Sequence, residues 1–370
     1  MTTLQDTQDR TKLREEIPTQ GDALAHAATI LRLPVENLLA LAKEREITDW
    51  VVTGCGDSLF SGLCGEVWFA GQARNLRAVH AMELSRYKYR TLGPNSLVLA
   101  ISHSGTTARV VEAAKAARAA GALTVAVTAN ASSELARIAD LVIDNSVHNE
   151  ESNTRTRSFQ AVALFIRMIS DQLAGIASES RYSELAHEVG GYTESAEAQV
   201  SVLPDEIFQG ADWTVVGAGL GHAMSEYGKA KLYEAATVPA HAEELEQYIH
   251  CEIFTATKDS VIVIVAPKGP ATSRAHELAG GLAKLGAKTI AITDDEELAA
   301  LCAYSIALPT ASEEIDLPFF AAVPLQWLAL RLALARGENP DRVANKWVNR
   351  PLIDHSLEWA PTSNEGEANA

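Results

Sequence analysis

The sequence predicts an α/β protein made of two similar units in tandem, each a three-layer αβα sandwich around a parallel sheet. Three observations lead there. The chain has 370 residues, a length that favours two domains of roughly 150 residues each plus extensions. Apolar runs such as 97–101 and 123–127 alternate with Ala-rich stretches such as 108–119. The chain also repeats itself: TDWVVTGCGDS (48–58) is echoed by ADWTVVGAGLG (211–221), and SLVLAISHSGTTARVVEAAKAARAAGALTVAVT (96–128) by SVIVIVAPKGPATSRAHELAGGLAKLGAKTIAIT (260–293), at an offset of about 163 residues.

Each element follows from its pattern. Continuous apolar runs suit strands buried on both faces, and strand–helix alternation implies right-handed parallel crossovers. A helix over 156–174 closes the first unit, and the Ser- and Glu-containing stretch around 177–205 forms a helical connector. The expected organisation is an N-terminal helical extension (1–45), a first α/β domain (46–176), the connector (177–205), a second α/β domain (206–338) and a C-terminal tail (339–370).

Composition limits the partners. Hydrophobic residues make up 47% and charged residues 21%, the balance of a globular chain with a sizeable core. A formal net charge of −17 argues against nucleic acid, whose binding rests on Lys and Arg neutralising phosphates. An anionic ligand must instead meet a local amide- or cation-lined pocket. The cysteines Cys55, Cys64, Cys251 and Cys302 have neither disulfide-framework nor zinc-ligand spacing, so no metal is expected and a reducing cytoplasm fits. A polar N-terminus and the expectation that no apolar run reaches about 20 residues argue against secretion and a membrane partner.

The chemistry centres first on 102–107, Ser102-His103-Ser104-Gly105-Thr106-Thr107. This segment follows a strand and opens a helix, where free amides point outward beyond the carboxyl edge of a parallel sheet. Hydroxyls and a glycine that permits close backbone approach make a neutral cradle for a phosphate dianion. A Ser/Thr-rich helix cap with no ligand is the plainer alternative. The second copy has Ala266-Pro267-Lys268-Gly269-Pro270-Ala271 at these positions, without the hydroxyls, which marks its lobe as a structural partner. Ser58, in the turn after Gly54-Cys55-Gly56-Asp57, can add a hydroxyl to the first crevice. Leu59 stands where a dinucleotide fingerprint needs its third glycine, so NAD binding is excluded and no cofactor is expected.

With these residues in place, the chain resembles the double sugar isomerase (SIS) domain family over about 14–352. That group contains the isomerase half of glucosamine-6-phosphate synthase, fructosamine-6-phosphate deglycases and amino-sugar-phosphate deaminase/isomerases. The loop Ser-x-Ser-Gly-x-Thr carries the likeness most specifically, and Arg14-Glu15-Glu16-Ile17 with Gln20 resembles the group's short N-terminal signature. The resemblance implies two tandem SIS domains. It makes Glu234, in 226–234, the base that moves a proton between C1 and C2 of the open-chain sugar. It makes His250 the ring-opening histidine, reaching in from the neighbouring subunit of a homodimer with shared active sites, and Lys346 a tail lysine that assists ring opening. No glutaminase or helix-turn-helix segment precedes the match, so neither a glutamine-dependent synthase nor a transcription regulator is expected.

The chemistry asks for the same residue types. Interconverting an aldose and a ketose needs one base that removes a carbon-bound proton and returns it to the adjacent carbon. A carboxylate in a crevice suits that task, and a histidine suits ring opening at neutral pH. The plainer alternatives are a surface ion pair of Glu234 with Lys231, a capping or core role for His250, and a solvated Lys346. Glu243, Glu244 and Glu246 read as a solvated helical face. Departures from the family pattern lie at Cys251-Glu252 after His250, at His103 and Thr106 in the cradle, and at Arg155 and Arg157 in place of a small-residue and lysine stretch. Pairing with Glu150 and Glu151 is one role for the two arginines, and binding a second anionic group of the substrate is the other. The expectation is an enzyme acting on a ketosamine or amino-sugar 6-phosphate, either a deglycase or a deaminase/isomerase. The alternatives are a non-amino aldose–ketose phosphate isomerase and a non-catalytic sugar-phosphate-binding regulator.

Overall fold

The computed structural model describes residues 11–72, 74–146, 150–210, 212–309, 313–342 and 352–353. Its strands are β1 (Asp49–Gly54), β2 (Asn75–His80), β3 (Ser96–Ile101), β4 (Leu123–Thr128), β5 (Leu141–Asp144), β6 (Trp213–Gly217), β7 (Ala240–Glu244), β8 (Val261–Val265), β9 (Lys288–Thr293) and β10 (Tyr304–Ala307). The helices used below are α1 (Lys12–Glu16), α2 (Gln20–Glu44), α3 (Asp57–Trp68), α4 (Ala108–Ala119), α5 (Glu134–Ile138), α6 (Arg157–Ala174), α7 (Glu179–Ser201), α8 (Leu220–Ala236), α9 (Leu245–His250), α10 (Thr272–Leu285), α11 (Glu296–Leu301) and α12 (Leu317–Ala335).

The first sheet is parallel throughout, in the order β2-β1-β3-β4-β5. Its central strands β3 and β4 are buried along their whole length, as their unbroken apolar runs require. Val51, Val98, Ala100, Val110, Val111, Ala126 and Leu135 form one core beneath α4 and α5. The second sheet repeats the order as β7-β6-β8-β9-β10, again parallel. Its core gathers Val216, Tyr248, Ile262, Ile264, Ala279, Leu282 and Ala291. Each unit is therefore a doubly wound αβα sandwich, as the sequence predicts.

Two side-chain details show why the repeat folds twice. Ser96 Oγ donates to Asp49 Oδ2 at 3.0 Å, and Ser260 Oγ donates to Asp212 Oδ2 at 2.9 Å. The same Asp–Ser bond thus ties the entry to the first strand of each sheet to the start of its third. Gly56 and Gly219 precede α3 and α8 at φ 58° and 57°, a region that favours glycine.

Chain segments do not follow sheet boundaries. Among the described residues, the compact unit around the second sheet also takes 11–29 and 150–164, and the unit around the first sheet also takes 165–175. Helix α12 packs on α7 and α8, with Gly228 leaving room for Leu325. By length and composition the stretches 12–44 and 314–335 reach membrane-spanning dimensions, which corrects the expectation that no run is long enough. The apolar window of 314–335 is 89% buried inside the protein, as a core helix must be. In α2, Leu24, Ala27, Leu31, Val35, Leu38 and Ala42 are buried at three- and four-residue spacing, the stripe of an amphipathic helix.

A polar knot lies within this packing. Gln20 Nε2 donates to Gln326 Oε1 at 2.7 Å, Gln160 Nε2 to Gln20 Oε1 at 2.9 Å, and Gln326 Nε2 to the Tyr227 hydroxyl at 2.7 Å. All three glutamines are fully buried. Replacing Gln326 by Leu strands the Gln20 amide and the Tyr227 hydroxyl without these partners, and is expected to cost about 2 kcal/mol. Equilibrium denaturation of Gln326→Leu checks this, and a change within about 0.5 kcal/mol of the parent would show the knot to be dispensable.

Candidate functional site

In the order β2-β1-β3-β4-β5 the winding reverses between β1 and β3, and the carboxyl ends of those strands are where such folds bind ligands. Two segments meet that description. After β1 comes the turn 54–58, where a Cβ on Gly54 would collide with Ser58 and approach the Ile101 carbonyl. Ser58 is half-buried in the first turn of α3. After β3 comes 102–107. Ser102 is buried, with Oγ 2.9 Å from Thr107 Oγ1 and accepting the Gly105 amide at 3.1 Å. Ser104 is exposed, and its Oγ accepts from the Thr106 amide at 3.3 Å and hydroxyl at 3.0 Å. His103 is half-buried, and its carbonyl accepts from Ala129 N and Thr128 Oγ1.

Helix α4 then starts at Ala108 with no side-chain cap and no acidic residue in its first turn, leaving the positive end of its dipole to an anion. Arg109 in that turn pairs with Glu112 at 2.9 Å. Nearby, burial raises the Cys55 thiol above its ordinary range and Arg109 offsets part of the rise.

The corresponding loop of the second unit is closed by its own side chains. Lys268 N donates to Asp294 Oδ1 at 2.7 Å and Gly269 N to Thr272 Oγ1 at 2.8 Å. The Glu314 carboxylate lies against Gly269, and burial together with Asp294 raises its proton affinity. Carboxylates there take the place an anionic ligand would need, and Lys268 is exposed.

Helix α8 gathers a second group of residues. Tyr227, Lys231 and Glu234 fall at spacings of four and three, one face of a helix. The Lys231 side chain is wholly buried, and its Nζ donates to Glu234 Oε2 at 2.8 Å and to the Arg155 carbonyl at 3.1 Å. It also lies 4.8 Å from the centre of the Tyr227 ring. The Tyr227 hydroxyl donates to the same Arg155 carbonyl at 3.3 Å, and Phe159 packs on its ring at 4.1 Å. Glu234 keeps 38% of its side chain exposed. The ion pair weighed for Glu234 is real, but its lysine is a core residue and not a surface one.

Arg155 and Arg157 part company. Arg155 Nη1 contacts Glu150 Oε2 at 3.3 Å, and its side chain is 36% exposed. Arg157 is buried and pairs with Glu16 at 3.2 Å; Glu151 pairs with Lys12 instead. The guanidinium of Arg157 therefore braces the chain against α1. Glu150 Oε1 accepts the amides of Thr156, Arg157 and Ser158, so this carboxylate caps α6. Burial opposes its charge, yet Ser158, Arg155 and the helix amides together hold its carboxyl below the ordinary range.

His250 stands apart. Its side chain is 70% exposed at the end of α9, with Nε2 3.0 Å from Glu246 Oε1, and Arg274 holds the same carboxylate. Glu246 alone of the three glutamates is on a helix: Glu243 and Glu244 end β7, where Glu244 caps α9. Burial and the neighbouring Glu252 raise Glu243 above the ordinary carboxylate range. Lys346 lies outside the described residues. Sequence reasoning missed Tyr227 as a site residue and took Lys231 only as a surface partner, although their helical spacing to Glu234 is visible.

These features define a tandem doubly wound α/β protein with a hydroxyl-lined loop at the switch point of its first sheet. Residues 41–169 and 209–336 match the model of the SIS domain, and the chain belongs to that family. It is 26% identical over 321 residues to glutamine–fructose-6-phosphate aminotransferase (isomerizing) of Thermococcus kodakarensis, covering 84% of this chain and 53% of the relative. The namesake of Zymomonas mobilis is 24% identical over 349 residues, covering 90% and 57%. The chain thus spans little more than half the length of these curated relatives. Among solved structures, glucosamine-6-phosphate deaminase of Thermotoga maritima superposes with TM-score 0.74 at 21% identity, covering 90% of this chain and 98% of that one. Tagatose-6-phosphate ketose/aldose isomerase of Escherichia coli gives TM-score 0.78 at 19% identity, covering 91% and 97%.

Two outcomes follow from this geometry. Gly105 has φ 66°, and a Cβ there would run into the Ser133 side chain that caps α5; Gly105→Ala is expected to cost about 2 kcal/mol and to weaken inorganic phosphate binding, read by thermal shift and calorimetry. Glu150→Gln is expected to cost about 2 kcal/mol at pH 7. Because the folded carboxyl titrates below its ordinary value, Glu150 stabilises the fold above about pH 4.5 and loses that contribution as pH falls through the lowered value. The gap between parent and variant should therefore narrow below that pH in denaturation curves, and a gap that widens would contradict the assignment.

Proposed function

We propose that the protein is an enzyme acting on a ketosamine or amino-sugar 6-phosphate, with Glu234 transferring a proton between C1 and C2. The observation that carries this reading is a half-exposed carboxylate anchored through one oxygen to a buried ammonium. Among the described residues its other oxygen, Oε1, has no hydrogen-bond partner. An acceptor held in one orientation with a free lone pair is what abstraction of a carbon-bound proton requires.

Ser102, Ser104 and Thr107, with Ser58 and His103, receive the phosphate and adjacent hydroxyls, and the uncapped start of α4 adds its dipole. On a ketosamine, loss of a C1 proton to Glu234 gives an enolamine. Reprotonation at C2 gives a C1 imine, and water then releases the amine and leaves the aldose phosphate. On a 2-amino aldose the same steps run from C2 to C1, and water releases ammonia to leave a ketose phosphate. Both routes consume one water and need no redox partner.

His250 is proposed to open the sugar ring in the site of a second subunit of a homodimer, a role its exposure suits, with Lys346 assisting. The four free thiols agree with a cytoplasmic setting. The SIS relatives named for sugar-phosphate reactions, including an amino-sugar-phosphate deaminase, support the substrate class.

The test is incubation in D2O with glucosamine, galactosamine, fructose and fructosamine 6-phosphates, reading deuterium at C1/C2 and released amine. Glu234→Gln should retain binding and lose on the order of a thousandfold in exchange. Binding with no exchange in the parent would identify a sugar-phosphate sensor instead.

A further inference from the structure

We propose that Tyr227 is a positioning residue for the proton transfer: the face of its ring supports the buried Lys231 ammonium while Glu234 carries the substrate's proton. The role in turnover rests on the function proposed above and deepens it. On a helix a long side chain leans back over the preceding turn, so Lys231 reaches over Tyr227 four residues earlier, and Glu234 reaches back to Lys231 from three residues on. The Lys231 Nζ lies 4.8 Å from the centre of the ring, inside the range of a cation–π contact. The ring is fully buried and its orientation is fixed. Phe159 packs on it at 4.1 Å, and its hydroxyl accepts from Gln326 Nε2 at 2.7 Å and donates to the Arg155 carbonyl at 3.3 Å. Gln326 is itself held by Gln20.

The charges around Lys231 change during the proposed reaction. Before transfer, the ammonium faces the Glu234 carboxylate at 2.8 Å. When Glu234 takes the carbon-bound proton it becomes a neutral carboxylic acid. The electron pair of the broken C–H bond forms the C1–C2 double bond, so the negative charge passes to the sugar. The enclosed ammonium loses the charge of its neighbour, at a cost that burial makes large. The ring face and the Arg155 carbonyl stay as they were, so their share of the support rises. An interaction that strengthens between bound substrate and transition state raises kcat and leaves KM alone. Tyr227 thus acts through Lys231 and not on the sugar.

The experiment has two arms, both on the full chain. The first needs no turnover. Glu234→Gln imitates the neutral carboxyl and is combined with Tyr227→Met, which keeps bulk beside Phe159 but has no ring, and with Tyr227→Phe, which keeps the ring without the hydroxyl. In equilibrium denaturation Tyr227→Met should lower the unfolding midpoint more in the Glu234→Gln background than in the parent, whereas Tyr227→Phe should lower it equally in both. The second arm follows deuterium exchange with the sugar phosphates named above. Per folded molecule, Tyr227→Met should lose on the order of tenfold in kcat with KM unchanged, and Tyr227→Phe should keep kcat despite its weaker fold. Tyr227→Leu replaces Tyr227→Met in both arms if the methionine variant does not fold. Additive losses in the first arm, a parent-like kcat for Tyr227→Met, or an equal fall in kcat for Tyr227→Phe would each overturn the proposal. If the parent turns over none of the sugar phosphates, the proposed function falls and the role in turnover with it, and the first arm alone decides whether the ring supports the ammonium.

Discussion

The interaction on which the candidate base depends is the burial of the Lys231 ammonium. A charge removed wholly from water is tolerated only when its donors are used, and an unpaired one would cost several kcal/mol. Lys231 meets this requirement with Glu234, the Arg155 carbonyl and the face of the Tyr227 ring. Each partner is thereby constrained in return. Glu234 is held by one oxygen, the chain around Arg155 is turned inward, and Tyr227 is kept upright by Gln326. From the other side Glu150 ties the same segment to the first turn of α6. Segment 150–158 is thus specified by charge satisfaction at both ends, although much of it lies outside any regular element.

The two sheets show how a duplicated scaffold can keep its geometry while its loops diverge. The paired Asp–Ser bonds and the positive-φ glycines are the parts of the unit that set strand register and helix entry. Their partners lie within the same sheet unit, and both copies keep them. The amides at the carboxyl edge are under a different obligation, because each must find an acceptor or a ligand. In the second copy Asp294 and Thr272 supply acceptors and Glu314 adds a further carboxylate. In the first copy hydroxyls line the loop and the helix behind it starts uncapped. One copy closes its loop with its own side chains, and the other leaves hydroxyls and an uncapped helix start at the same place.

Much of this was legible in the chain. The repeat, the strands beneath it and the helix 108–119 follow from periodicity and glycine placement, which act over short distances. The loop 102–107 was legible because its chemistry is contiguous. What was hidden depends on long-range packing: nothing local tells that Arg157 meets Glu16 or that Lys231 is enclosed, since a lysine on a helix ordinarily solvates itself. The stretch 317–335 does not read as one long apolar run because the polar Gln326 and charged Arg331 interrupt it; in the fold Gln326 is fully buried with hydrogen-bond partners and Arg331 bonds to backbone carbonyls. Glu243 and Glu244 looked helical by charge density alone, whereas β7 takes them because its backbone pairs with β6.

A chain with a net charge of −17 offers an anion no favourable long-range field, and the arrangement of its cations adds little to it. Each cation near the candidate groups is matched by a carboxylate: Arg155 by Glu150, Lys231 by Glu234, Arg157 by Glu16, Arg109 by Glu112. Such pairs contribute little field beyond a Debye length, so steering of a phosphate ester from a distance is weak. Under the proposed function, recognition falls to oriented donors at contact range, the hydroxyls of 102–107 and the amides of α4. Donors of this kind discriminate by geometry and not by charge alone. The acidic surface and the neutral cradle are in this sense one solution: ligands that bear charge but lack the matching shape gain little by approaching.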